Sequence, residues 1–441
     1  MARNDRYGFH PLYYFTRPGE VCISTSILRL LAQGASPEFD EPGLAVFLRL
    51  GFFLGEDTPF KAIRAVPPDA RFEWRDGHLS LQGRYAFGRR QSITWDAAID
   101  AYISLFREAI KRRLPPGEDF AVPVSGGKDS RHILLELCEA GYPPKFCVTI
   151  PRFPPSLGEE DVEVATALAK ALRMRYVVLK QTDSQLQAEL EKNLQTSFCA
   201  DEHAWYLALV EYLKGRTSLV YDGIGGDVLS ESLNLNAERV TLFDSGRFAN
   251  LAQRLFVRSD AGLARLLRPF AYQRMGRDLA VERVVAELEK HAGAPNAVGS
   301  FYFWNRTRRE VALAPYAMIT RAAQVYSPYL DHDLYDFLAS LPATMLLNRR
   351  LHTDTIRRAY PRYADIPYDR RLISTGMRRA QTRRLAWELA RYALTHVPSR
   401  LVRGPYLVPR LAFGLATGKM TGAVDPLVPY LLQLGSVVHM G

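Results

Sequence analysis

No apolar run in the chain reaches the ~18 residues that a membrane-crossing helix needs, so no transmembrane helix is expected. Met1-Ala-Arg-Asn-Asp-Arg is polar and leads into no long apolar core, so the start does not read as a signal peptide. Cysteine is scarce, with four in 441 residues. Cys22, Cys138, Cys147 and Cys199 have no metal-ligand spacing, and Cys138 and Cys147 fall in apolar helix and strand patterns that suit core thiols. That usage agrees with a cytoplasmic location. Internal repeats and low-complexity segments are missing. So is the Gly-x-x-x-x-Gly-Lys pattern, which excludes a Walker-type phosphate loop.

What is present is ordinary in bulk. Hydrophobic residues make up 47% and charged residues 24%, as in a soluble globular protein. The length suits two or three domains, or one large domain with an appendage. Charge is unbalanced, 57 Lys and Arg against 47 Asp and Glu, for a net +10. Much of the excess lies in Arg349–Arg403. It would suit nucleic acid, a membrane surface, an acidic peptide or a solvated basic helix face, and composition does not choose among them.

The chain is organised around residues 121–137. The apolar run Phe120–Val124 reads as a buried strand, and Ile133, Leu134 and Leu137 give the next stretch a helical period. Between them stands Ser125-Gly-Gly-Lys-Asp-Ser130. Glycines without Cβ atoms let the backbone approach a ligand, and free N–H groups at a helix start attract anions. Asp129 would repel a phosphate by itself. It makes sense with Mg²⁺ between carboxylate and phosphates.

Further apolar runs at 146–150, 175–179 and 218–222 alternate with helical stretches, which implies parallel strands covered by helices on both faces. Ligands in such sheets sit beyond the carboxyl ends of the strands. The last run enters Tyr221-Asp-Gly-Ile-Gly-Gly-Asp-Val-Leu229, where a glycine turn places Asp227 within reach of a second metal contact. Ser156–Leu172 reads as a helix capped by Ser156, and Asp161 is first of all one of its first-turn acids.

These stretches resemble the asparagine synthetase family. Ser125–Ser130 is similar to the pyrophosphate loop of enzymes that split ATP into AMP and pyrophosphate. Asp222–Asp227 resembles the family's Ser-Gly-Glu-Gly-Ser-Asp-Glu signature. Ser327-Pro-Tyr-Leu-Asp331 resembles its Pro-Phe-Leu-Asp turn, although a proline turn and an Asp helix cap account for it equally. In residues 1–92, Asp5–Tyr14 and Ala62–Pro68 resemble the end of the family's glutaminase domain, while Phe72–Trp74 and Leu79–Leu81 flank Asp76-Gly77 as a hairpin. The glutaminase front half and its N-terminal Cys nucleophile have no counterpart, since residue 2 is Ala2.

The resemblance implies an α/β fold: a doubly wound parallel-sheet ATP-pyrophosphatase (PP-loop) domain with added helices over 93–441. A small β-rich remnant of an Ntn-type glutaminase domain precedes it over 1–92. It further implies that Ser125, Gly126, Gly127, Lys128, Asp129 and Ser130 hold the pyrophosphate. Val148, Asp222 and Gly223 would contact the nucleotide, Asp129 and Asp227 the metal, and Arg370 would stand at or beside the family's catalytic Lys. ATP and Mg²⁺ are the expected cofactors.

Two departures point away from plain asparagine synthesis. The signature's glutamates are replaced by Ile224 and Val228. With the nucleophile also missing, the expected activity is an AMP-forming amide ligase whose amine arrives on the substrate. β-Lactam synthetases and lasso-peptide cyclases are similar in this respect. Its partner would be a small molecule or a peptide, with room for a leader-peptide-binding or processing protein and no expectation of nucleic acid. A tRNA-modifying pyrophosphatase and a non-catalytic scaffold are the alternatives.

Two basic stretches stay open. Phe301-Tyr-Phe-Trp-Asn-Arg-Thr-Arg-Arg309 reads as a helix with an aromatic core side and a wet basic side, or as a surface that stacks on peptide or nucleic acid. Arg378, Arg379, Arg383 and Arg384 form a charged face opposite Leu385 and Trp387 that covers the core or docks a partner.

Overall fold

The computed structural model describes residues 2–75, 77–151, 159–231, 234–368, 379–396, 399–419, 422 and 425–437. Asp76, Ser156, Arg370 and Arg378 lie outside the described residues.

The first 82 residues form six short strands in two antiparallel sheets. β1 (Ala2–Arg3), β5 (Arg71–Arg75) and β6 (His78–Gln82) make one, in the order β1-β5-β6. β2 (Tyr13–Arg17), β3 (Glu20–Ser24) and β4 (Arg64–Ala65) make the other, in the order β3-β2-β4. The hairpin pairs Phe72 with Leu81 and Trp74 with Leu79, as the flanking residues predict. Tyr13 and Phe15 alternate inward along β2, the period of a half-buried strand.

The Glu41–Leu50 helix follows. Asp40 caps it by accepting the Gly43 N–H (3.1 Å), and Gly51 ends it at φ 84, a left-handed turn that glycine takes without strain. It is buried from Gly43 to Leu50, packed against the Arg277–His291 helix. Even Arg49 is inside, held by Asp260 Oδ1 (2.6 Å) and the Met275 carbonyl (3.0 Å).

The central sheet has five parallel strands: β7 (Phe120–Pro123), β8 (Phe146–Thr149), β9 (Tyr176–Val178), β10 (Leu219–Tyr221) and β11 (Gln324–Tyr326). Their order is β11-β10-β7-β8-β9. The chain builds outward from β7 to β9, then returns to the other side of β7 for β10 and β11. This is a doubly wound sheet whose order reverses between β7 and β10. Four strands stand where the apolar runs predict. β11 is unanticipated, for it has three residues and opens on the exposed Gln324.

The Phe301–Arg309 stretch departs from both readings. Phe301, Phe303 and Trp304 are core, but Arg308 and Arg309 are buried as well. From Phe303 to Val311 the backbone is wound as a π-helix, which moves side chains off the α-helical faces. Arg308 donates to the Val66 carbonyl (3.2 Å) and Arg309 to the Asp57 carbonyl (2.6 Å). Tyr7 meets Phe303 edge-on and Phe9 packs against it at a tilt, so the β3-β2-β4 sheet and the segment before it share one apolar core with this helix. These arginines therefore offer no surface to nucleic acid. Of the C-terminal basic face, Leu385 is buried while Trp387 is exposed beneath Arg391. No helix among the described residues is long and apolar enough to cross a membrane.

Asp331 has a structural role. It caps the His332–Ser340 helix, and its two oxygens accept from Arg112 (2.9 Å) and Arg113 (2.8 Å) at the end of the Trp95–Lys111 helix. A cap contributes about 1 kcal/mol and bonds to a charged group about 1.5–3. Allowing for the partly exposed arginines, D331A is expected to lower stability in urea by about 2 kcal/mol, and D331N, which keeps a capping oxygen, by about half as much.

Candidate active site

A cavity of about 590 Å³ opens at the carboxyl ends of β7 and β10, where the strand order reverses. That volume suits a small-molecule ligand. After β7 the chain turns through Ser125–Lys128 into the Asp129–Glu139 helix, and after β10 through Asp222–Gly225 into the Gly226–Ser230 helix. Ser125, Gly127, Lys128, Asp129, Ser130, Val148, Asp222, Gly223 and Asp227 all line the cavity.

Gly126 departs from this set. It is not among the lining residues, and its N–H is taken up by Asp161 Oδ1 at 2.6 Å. The rest of the loop is held by its own groups. The Ser125 N–H donates to Ser130 Oγ (3.1 Å) and the Gly127 N–H to Ser125 Oγ (3.2 Å). The amides left to face an anion are those at the start of the Asp129–Glu139 helix. Asp161, unremarkable as a first-turn acid, proves to be the side chain that braces the loop from the Glu159–Ala171 helix.

The two turns interlock. A Cβ on Gly223 would stand 2.6 Å from the Asp129 Cβ, and one on Gly226 would stand 2.7 Å from the Asp129 Cγ and 2.9 Å from Tyr329 Cε2. No side chain fits there, so Asp129 lies against bare backbone. Behind it is a buried polar chain. His352 Nδ1 is 3.4 Å from Asp129 Oδ1 and 3.0 Å from Ser230 Oγ. His352 Nε2 meets the Tyr329 hydroxyl at 3.1 Å, and that hydroxyl meets His132 Nδ1 at 3.3 Å. Burial, then Arg107, holds His132 well below its usual pKa; burial, then His132 and Lys128, does the same for His352. Both rings are neutral, so the chain holds Asp129 in place without competing for its charge.

Lys128 pairs with the buried Glu231 and lies 5.6 Å over the Tyr368 ring, which also receives Arg131 at 4.0 Å. Arg131 donates to the Ile366 carbonyl at 2.8 Å, so the segment just before Arg370 is tied to the loop's helix. Ile224 and Val228 are largely buried and present an apolar wall.

The cavity lining also carries groups that sequence reasoning missed. Glu202, His203 and Trp205 come from the segment that leads into the Tyr206–Leu213 helix, Tyr206 from its first position, and Arg306 and Thr307 from the π-wound helix. His203 has φ 80, in the left-handed region that His enters more readily than most side chains. Its Nδ1 is 3.0 Å from Glu310 Oε1. Arg306 pairs with Glu202 at 3.1 Å. Burial pushes the Glu310 carboxyl up, but His203 and Arg306 outweigh it and hold the group below its usual range. A lone His after an acidic pair makes no motif, and Arg306 and Glu310 read as ordinary helix positions.

Asp222 accepts the Ile224 N–H at 2.8 Å. Burial pushes its pKa up to about 6, opposed by that N–H and by His203. Raised from 3.8, the group resists ionising in the folded state, so a stability penalty grows between pH 3.8 and about 6 and is complete above that. D222N keeps the acceptor oxygen. It is expected to raise stability at pH 7.5 by on the order of 2–3 kcal/mol and to change nothing near pH 3.5, as thermal melts at the two pH values would read. G226A should displace Asp129 and lower stability in urea by about 1–3 kcal/mol, leaving the circular dichroism spectrum unchanged.

Sheet order, paired strand-end turns and two cavity carboxylates define an α/β site of the nucleotide-binding kind. A family model for asparagine synthase matches residues 101–367, more than half of the chain, and the chain belongs to that family. Among solved structures, the NH3-dependent NAD synthetase from Campylobacter jejuni subsp. jejuni, in complex with the nitrate ion, is 14% identical. The match covers 45% of this chain and 96% of that one, at a TM-score of 0.22. No curated protein matches the chain significantly.

Proposed function

We propose that the chain is an AMP-forming amide ligase that adenylates a substrate carboxylate with ATP and passes the acyl group to an amine. Asp129 and Asp227 carry this reading, as two carboxylates from neighbouring strand ends on the cavity that also holds the Ser125–Ser130 turn. An anion site built of hydroxyls and helix-start amides has no use for two acids unless a hard cation accompanies the anion. The donor set therefore fits Mg²⁺, held by Asp129 and Asp227, which would offset charge on the departing pyrophosphate.

The substrate's carboxylate oxygen attacks the α-phosphorus and pyrophosphate leaves. Ser125, Ser130, Lys128 and the amides opening the Asp129–Glu139 helix hold that group while Val148, Asp222 and Gly223 line the nucleotide's place. Arg370 is assigned the stabilising of charge on the adenylate, an electrostatic task that a permanently protonated guanidinium can do. Residues 1–92 are read as a glutaminase remnant without its nucleophile and 93–441 as the synthetase.

Ile224 and Val228 support an amine that comes with the substrate, because an apolar wall offers nothing to hold free ammonia. A peptide or amino-acid-derived substrate of the lasso or β-lactam kind follows from this reading. The deciding measurement is the nucleotide product. Incubated with Mg²⁺, ATP and fractionated extract of its source cells, the protein should release AMP and pyrophosphate. D227A should lower that release more than about 100-fold, beyond what loss of an outer partner of a metal ligand costs. ADP as product would rule out adenylation.

A further inference from the structure

Amide formation needs a proton acceptor. An amine that attacks the acyl carbon becomes cationic as the N–C bond forms, and it must lose a proton as AMP departs. Most acids of the cavity are committed. Asp161 holds the Gly126 amide, Asp222 the Ile224 amide, and Glu231 and Glu202 are paired with Lys128 and Arg306.

His203 differs. Its ring lines the cavity beside Trp205 and Tyr206 (centroids 5.1 and 5.5 Å away). Nδ1 is committed to Glu310 Oε1 at 3.0 Å. A carboxylate accepts only from Nδ1–H, so in the neutral ring the lone pair would stand on Nε2. Glu310 is 2% exposed, and its second oxygen has no hydrogen-bond partner among the described residues. A buried carboxylate with that much charge in reserve would stabilise an imidazolium once formed.

We propose that His203 is the base that deprotonates the acceptor amine, and that Glu310 is the positioning residue that fixes its ring. The proposal rests on the acyl-adenylate reading above. The amine nitrogen bonds to the acyl carbon and the bond from that carbon to the adenylate oxygen breaks. AMP leaves with the electron pair, and Nε2 of His203 takes the proton. The acceptor amine is thus presented from the Glu202–Tyr206 side of the cavity. Glu202, His203 and Glu310 also place ligand atoms within 4.8 Å of one another, as a cation site would. Arg306 argues against that use, because its guanidinium already neutralises Glu202.

The test separates the two half-reactions. Wild type, H203N and E310Q are given Mg²⁺, ATP and the extract fraction that stimulates AMP release. Pyrophosphate–ATP exchange reports adenylation. AMP release reports transfer, first to the natural acceptor and then to added hydroxylamine, a small nucleophile that attacks without a base. Asn suits H203N because it tolerates a positive φ. H203N should keep exchange and hydroxylamine-supported release within about threefold while transfer to the natural acceptor falls about 100-fold or more. E310Q should lower kcat of transfer about tenfold with KM for ATP unchanged, which a merely structural role would not produce. Should H203N melt far below wild type, the E310Q split decides. Equal loss of exchange and transfer, or no loss of transfer, overturns the assignment of the base. A wild type without exchange overturns the adenylation reading, and the base falls with it.

Discussion

The contact on which the site depends is the one between the Asp129 side chain and the bare backbone of Gly223 and Gly226. It exists because β7 and β10 are neighbours although about 100 residues separate them in sequence. The sheet brings the two turns side by side, and the glycines let them close. A methyl group at either glycine would push apart the two acids that give the cavity its character. The chain of His352, Tyr329 and His132 stands behind Asp129, with His352 Nδ1 3.4 Å from its carboxylate.

The lining of the cavity is chemically mixed. Ile224 and Val228 are apolar and without protons to exchange, while Glu202, His203 and Arg306 are charged or titratable. A reacting group there would meet both apolar surface and hydrogen-bonding partners. Such a mixture suits a reaction that must exclude water from an activated acyl group yet still move a proton.

Much of this was legible in the residues. Runs such as Phe120–Val124 are apolar because parallel strands are buried on both faces, and a glycine-rich turn directly after such a strand marks a place where backbone meets a ligand or another turn. Asp227 could be read because it follows such a turn. What stayed hidden depends on contacts distant in sequence. Asp161 looks like any first-turn acid until the Gly126 amide is seen to meet it. Phe303–Val311 is wound as a π-helix, so a 3.6-residue period misplaced Arg308 and Arg309. β11 is too short to show a period at all.

The burial of Glu41–Leu50 has a consequence during synthesis. This helix is apolar nearly all round, and the Arg277–His291 helix that covers it is made roughly 230 residues later. At about 5–20 residues per second the ribosome takes roughly 10–45 s to supply that cover. The nascent chain therefore carries this apolar helix without its native cover for longer than most small domains need to fold.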